Sequence, residues 1–383
     1  MRAEPMSGAD GLSRRAMLAG GLALGWVGLT AGVAAPDGFY ESSQNGLDQR
    51  KARAFLGIRY AAARRFEAPS AILEAQQYRT AFSGFGPIAP QAGLKDQPQS
   101  EDCLFLNVWT PDRAPRVGKP VMVYIHGGAY SGGSVTDPLN DGAILAERGD
   151  VVVVTVNHRL NVFGYLYLPD RFPDSGNLGQ LDLICALQWV RRNIAAFGGD
   201  PGNVTVFGQS GGGAKIATLM AMPEANGLFH KAITMSGQQV TASGPLHARQ
   251  RAQAFLERLG HGVDPATAPV KELVAALSAA DPIMGGGLYM GPVLDMRHLM
   301  RHPFWPDPAP QGNAIPMLLG NCVAETRAFF PPDHPKLINL NWANLAERAG
   351  PELKVDIDPA WVTARFRARY PDDSPEQIFH RMV

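Results

Sequence analysis

A serine flanked by glycines is the strongest chemical signal in this chain. Ser210 lies in Gly208-Gln209-Ser210-Gly211-Gly212, which fits the Gly-x-Ser-x-Gly nucleophile elbow, where a strand turns directly into a helix. Such a turn strains the serine backbone, and side chains at 208 and 212 would clash with it. The flanks agree: Val204-Thr-Val-Phe207 is a short, β-rich apolar run, and Ala214 to Ala221 is helix-compatible. The chemistry implied is acyl transfer, in which the hydroxyl attacks a carbonyl and N–H donors hold the resulting oxyanion. Those donors come from the N–H after the serine and from a Gly-rich loop after an earlier strand. Gly211 fills the first position. For the second, Val121 to Ile125 runs straight into His126-Gly127-Gly128-Ala129-Tyr130-Ser131-Gly132-Gly133.

Positioning these groups requires a sheet. Apolar runs at Val121–Ile125, Val151–Val156, Val204–Phe207, Ala232–Met235 and Met317–Gly320 are continuous rather than alternating, which predicts parallel strands covered on both faces. The best helical pattern spans Asp182 to Phe197, where Ile184, Leu187, Val190, Ile194 and Phe197 recur at helical spacing before Gly198 stops it. Strands alternating with helices predict an α/β fold, a mostly parallel central sheet with helices on both faces. No Pro/Ser-rich linker divides the chain, so 36–383 reads as one domain. Within it, Gln238 to Asn313 has weak strand signals, helical patterns and clustered Gly and Pro, as a helical excursion capping the site would.

The 383 residues are 45% hydrophobic, enough for a large core, and 35 basic residues balance 35 acidic ones. That balance points away from nucleic acid or an anionic membrane as partner. Arg14-Arg15 precedes an apolar, Gly/Ala-rich stretch from Ala19 to Val33, with Ala34 and Ala35 after it. This predicts a twin-arginine-type signal peptide over 1–35, export to the periplasm or medium, and a mature chain from about Pro36 without an integral membrane span. A single membrane anchor is the alternative. The three cysteines, Cys103, Cys185 and Cys322, are too few and odd in number for a disulfide framework. Cys185 reads as a core residue. His298 and His302 have the spacing of a zinc pair, but no glutamate lies between them, no third ligand is evident and Pro303 follows; no metal is expected. His126 and His158 follow strand ends and read as structural.

Three passages resemble the type-B carboxylesterases, the carboxylesterase/lipase branch of the α/β-hydrolases that includes para-nitrobenzyl esterases. Phe197 to Gly212 is similar to the family's serine signature, Glu101-Asp-Cys-Leu-Phe-Leu-Asn-Val-Trp-Thr-Pro111 to its second signature, and Phe55-Leu-Gly-Ile-Arg-Tyr-Ala61 to its N-terminal passage. The resemblance implies an α/β-hydrolase fold and a carboxylic ester hydrolase without cofactor, acting on a small-molecule ester. It implies Ser210 as nucleophile, Gly128, Ala129 and Gly211 as oxyanion donors, and Glu325 as the triad acid, with Asp295 as the competing carboxylate. Ser236 is implied to be a buried hydrogen-bonding residue.

Departures matter as much. Gln209 stands where the family commonly has glutamate, and Gly211 where it has alanine; both should be tolerated, since the backbone at 211 supplies the donor. Ala89 replaces the cysteine that pairs with the residue matching Cys103, which leaves Cys103 a free, buried thiol. Chain order puts the catalytic histidine after Glu325, where only His334 and His380 occur. Neither resembles the family's histidine passage. The expectation is that the C-terminal part is missing, that the catalytic base lies beyond Val383, and that this chain alone has little esterase activity, with an uncovered sheet edge. A non-catalytic esterase-like binding protein or decayed fragment, and a hydrolase of amides or carbamates, are the alternative readings.

Overall fold

The computed structural model describes residues 32–41, 52–73, 84–94, 97–111, 118–284, 286–353 and 358–383. Its centre is a seven-stranded sheet: β1 (Ala52–Arg59), β2 (Phe105–Pro111), β3 (Lys119–Ile125), β4 (Val152–Val156), β5 (Gly199–Gln209), β6 (Lys231–Met235) and β7 (Met317–Gly320). The spatial order is β7-β6-β5-β3-β4-β2-β1. Strands β3 to β7 pair in parallel, and β2 runs antiparallel to both β4 and β1. All five expected parallel strands are present. The sequence reading omitted β1 and β2 as strands. Both are β-rich, but β2 carries Asn107 and Thr110 inside, which break the apolar run. The sheet satisfies them: the Asn107 side chain accepts from Gly57 N–H at 2.8 Å and donates to Thr155 Oγ1 at 3.0 Å, and Thr110 Oγ1 donates to the Phe197 carbonyl at 2.9 Å.

The central helix runs from Leu178 to Asn193, starting four residues before the expected Asp182. Gln180 hides that start because it is polar, yet it is fully buried, as is Asp182. A 3-10 turn, Ile194–Phe197, follows, and Gly198 at φ 86° ends it. Asp182 faces Arg159, with Nε and a terminal nitrogen of Arg159 donating to it at 2.9 and 2.7 Å. The Gln238–Asn313 excursion contains the helices Pro245–Leu259 and Val270–Ala276. Arg65 ties it to the body by donating to the carbonyls of Pro265 and Ala268 at 3.0 and 2.6 Å.

A hairpin of Gly32–Ala35 with Gly38–Glu41 precedes the sheet. Buried Asp37 docks it on the central helix, donating its N–H to Asn193 Oδ1 at 3.0 Å and pairing with Arg192 at 2.9 Å. The hairpin straddles the expected start near Pro36, so its first strand falls among the residues read as leader. Arg14, Arg15 and nearly all of Ala19–Val33 lie outside the described residues, among which no helix is long and apolar enough to cross a membrane. Cys103 and Cys185 are buried free thiols and Cys322 is an exposed one.

Beyond β7, helices Leu345–Leu353, Pro359–Arg369 and Pro375–Met382 gather on a separate small core of Leu337, Leu345, Ala349, Ile378 and Phe379. Strand β7 is the outermost on its side, and Leu318 and Leu319 are 64% and 57% exposed.

The Arg159–Asp182 pair supplies a stability test. Removing one partner of a buried pair strands the other charge, at about 3–5 kcal/mol. Asp182→Ala is expected to lower the unfolding free energy by that amount in a urea titration. A change below about 1 kcal/mol would show that Arg159 finds other compensation.

Candidate functional site

Strands β3, β5, β6 and β7 end together, at the carboxyl edge where sites in such sheets form. Strand β5 passes directly into the helix Gly211–Leu219, and Ser210 between them is held at φ 52°, ψ −125°. Its N–H donates to the Met235 carbonyl at 2.8 Å and its carbonyl accepts from Ala214 N–H at 3.1 Å. There is no room for side chains around this turn. A Cβ on Gly208 would lie 2.7 Å from the Ile125 oxygen, one on Gly212 2.0 Å from the same atom, and one on Gly237 2.0 Å from the Ser210 oxygen. The expected glycine requirement at 208 and 212 holds, and Gly237 joins it.

The loop after β3 lies against this turn. Gly128 and Ala129 take φ of 88° and 52°, and the N–H groups of Ser131 and Gly132 close back onto the Gly128 carbonyl at 3.2 and 3.0 Å. Asn161 donates its side-chain amide to the Ser131 carbonyl at 3.1 Å and its N–H to the Tyr130 carbonyl at 2.7 Å. Gln91 brackets Gly133, accepting its N–H at 2.7 Å and donating to its carbonyl at 3.0 Å. Gly128, Ala129 and Gly211, the expected donors, are brought together, since a Cβ on Gly211 would sit 2.2 Å from the Ala129 oxygen. Glycine at 211 is thus more than tolerated: the Ala129 backbone occupies the space a side chain would need. A cavity of about 1070 Å³ opens beside the loop, with Gln91, Tyr124, Gly127, Leu139 and Gln209 in its wall.

Beneath the loop lies a group that the sequence reading passed over. Lys215, in the helix after Ser210, is fully buried. Its only sequence signal is a charge inside the otherwise apolar-to-small run Ala214 to Ala221. His126 stacks on His158 with ring centroids 4.6 Å apart. Burial foremost, and then the Lys215 charge, pushes His126 down to about 3, so its ring is neutral and donates Nδ1–H to the Gly127 carbonyl at 2.9 Å.

Glu325 opens a 3-10 turn, Glu325–Ala328, after β7, and its carboxylate accepts the Cys322 N–H at 2.5 Å. Asp295 is engaged elsewhere: one oxygen accepts the N–H groups of Arg297, His298 and Leu299, and the other accepts from Asn177 at 2.8 Å. His334 accepts from Lys336 N–H at 3.2 Å. His380 is buried beside the Glu325 turn, but its Nδ1 meets Thr326 Oγ1 at 2.7 Å. Burial, and then Arg327, lowers its pKa. Among the described residues no histidine is hydrogen-bonded to Ser210 or Glu325. Ser236 departs from expectation: it is half-exposed, and among the described residues its hydroxyl meets only Cys322 Sγ, at 4.0 Å. His298 and His302 serve different partners, Glu224 and Asp174 for the first, the Ala242 N–H for the second.

A strained serine between strand and helix, a Gly-rich loop seated on the residue after it, and a mostly parallel sheet define an α/β-hydrolase. The Carboxylesterase family model matches residues 33–375, and the chain belongs to that family. It is 45% identical over 246 residues to the para-nitrobenzyl esterase of Bacillus subtilis (strain 168), an alignment covering 61% of this chain and 49% of that protein. The chain thus spans about half of that relative's length. It is 37% identical to a probable N-octanoylanthranilate hydrolase of Rhodococcus erythropolis, over 84% of this chain and 72% of the relative. Among solved structures, a Geobacillus stearothermophilus carboxylesterase superposes with a TM-score of 0.77 at 35% identity, covering 91% of this chain and 73% of that one.

The packing at Gly212 is directly testable. Gly212→Ala forces a Cβ into the Ile125 carbonyl, and substitutions that conflict with the native backbone cost more than about 1 kcal/mol. A lowered melting temperature is expected; an unchanged one would mean that the elbow has slack.

Proposed function

We propose that this protein is a carboxylic ester hydrolase in which Ser210 is the acyl nucleophile, Gly128, Ala129 and Gly211 supply the oxyanion donors, and Glu325 is the triad acid. The observation that carries the reading is Ser210 at φ 52°, ψ −125° with the Ala129 backbone lying on Gly211. Family membership supports it, as does the position of Glu325 after the strand next to β6. In this reading Ser210 Oγ attacks the ester carbonyl carbon as its proton leaves to a base. The carbonyl π pair moves to oxygen and is held by the loop N–H groups. The tetrahedral intermediate collapses, the alcohol departs with a proton, and water then repeats the sequence on the acyl-serine to release the acid. The role of Glu325 is to orient a histidine and stabilise its imidazolium.

Because no described histidine holds the Ser210 hydroxyl, proton removal is the weak step of this chain. Catalysis without a triad member falls to what oxyanion stabilisation and binding provide, roughly three to four orders of magnitude over water. A fluorophosphonate probe is expected to form an adduct on Ser210 that Ser210→Ala abolishes, alongside slow turnover of para-nitrophenyl acetate. No adduct at Ser210 would sink the reading and favour a binding protein. Ester and amide substrates of matched acyl group then settle the leaving group.

We further propose export directed by residues 1–35, on the strength of Arg14-Arg15 and the apolar stretch behind it. Terminal sequencing of protein recovered outside the cytoplasm is expected to start near Pro36. A start at Met1 counts against cleavage.

A further inference from the structure

Lys215 carries an ammonium into the floor of the oxyanion loop. It is 0% exposed, and no carboxylate among the described residues pairs with it. Its Nζ donates to the carbonyls of Ala129 at 2.7 Å and His126 at 3.3 Å and faces the Tyr130 ring at 5.4 Å. Removing an ion from water without a counter-charge costs several kcal/mol, and methionine would fill the same space without that penalty. A burial this costly needs a local reason, and the contacts supply one. Gly211 and Lys215 are four apart, so they share one helix face. Both meet Ala129: Gly211 makes room for its backbone, and Lys215 holds its carbonyl.

We infer that Lys215 is a positioning residue for acyl transfer, its ammonium clamping the Ala129 and His126 carbonyls so that the Gly128–Ala129 segment stays seated on Gly211, and its charge favouring the oxyanion formed above. This inference rests on the acyl-serine reading of Ser210. Of the other two polar clamps on the loop, Gln91 and Asn161 are neutral amides, so the charge comes from Lys215 alone. The titratable groups facing it are His126 and His158, both kept neutral chiefly by burial, and Tyr130, whose hydroxyl burial pushes up. Burial also pushes Lys215 down to about 7. The ammonium is therefore present below that pH and lost above it, so its benefit must fade as pH rises through about 7.

The test is the rate of fluorophosphonate labelling of Ser210 from pH 5.5 to 9 in wild type and Lys215→Met, with melting temperatures of both. Taking the ratio of the two rates cancels titrations that the proteins share. At pH 6 the ratio is expected to be about tenfold, below the two to three orders commanded by a direct oxyanion donor, and to shrink towards pH 9. Lys215→Met is expected to melt at the same or a higher temperature, a combination that a purely structural role does not produce. A ratio near one at every pH would overturn the inference. If wild type is not labelled at all, the acyl-serine reading fails first. Amide exchange at Ser131, Gly132 and Gly133 then judges the clamp: faster exchange in Lys215→Met upholds it, and unchanged exchange overturns it.

Discussion

Backbone packed directly on backbone, with no side chain between, is the constraint on which this site depends. The turn at Ser210 has a left-handed φ, which costs a non-glycine residue of order 1–3 kcal/mol and persists only when its surroundings over-determine it. Here they do. The Ser210 N–H is fixed by the Met235 carbonyl, its carbonyl by the helix it starts, and its flanks by the Ile125 oxygen and Gly237. Ile125 and Met235 end β3 and β6, the two strands that pair with β5. The sheet register, more than any property of the loop itself, therefore aims the hydroxyl.

The same constraint passes to the oxyanion loop. Its residues turn through Gly128 and Ala129 on to Gly211, and loops of this kind carry backbone carbonyls that need partners. Three of them are met by side chains from different elements: the Gly133 carbonyl by Gln91 from the segment before β2, that of Ser131 by Asn161 from after β4, and that of Ala129 by Lys215 from the helix after Ser210. Polar side chains buried for this purpose are expensive one at a time, and their worth lies in a loop fixed before substrate arrives. On the inference drawn for Lys215, the charged member matters more than its single pair of contacts suggests.

What could be read from the sequence follows from where the information is local. The elbow, the Gly-rich loop and the five parallel strands are each encoded within a few consecutive residues, and each stands where it was expected. Strand β2 escaped because its buried polar residues, Asn107 and Thr110, are satisfied by partners distant in sequence, Gly57 and Phe197. The start of the central helix escaped for the same reason, through Gln180, whose amide donates to the Lys215 carbonyl. Lys215 was invisible because a lone charge in an apolar helix ordinarily points to water, and only the fold shows the two carbonyls it reaches. Ser236 was placed by resemblance alone, and the structure leaves its hydroxyl nearer to a thiol than to any strong partner.

The two halves of the chemistry are built to different standards in this chain. The nucleophile and the oxyanion loop rest on central strands, buried beneath and locked from several sides. Glu325 stands after β7, the outermost strand, whose leucines face solvent, and one N–H holds its carboxylate. His380, which packs against the turn that Glu325 opens, meets Thr326. In the proposed reading, electrostatic stabilisation is thus preorganised, while the proton-transfer arm lacks a fixed partner among the described residues. On that reading the oxyanion loop keeps its geometry without the base, so a probe that carries its own strong electrophile can still address Ser210 where ester turnover is slow. The elbow and the acid arm are separable by design of the sheet, one central and one at its margin.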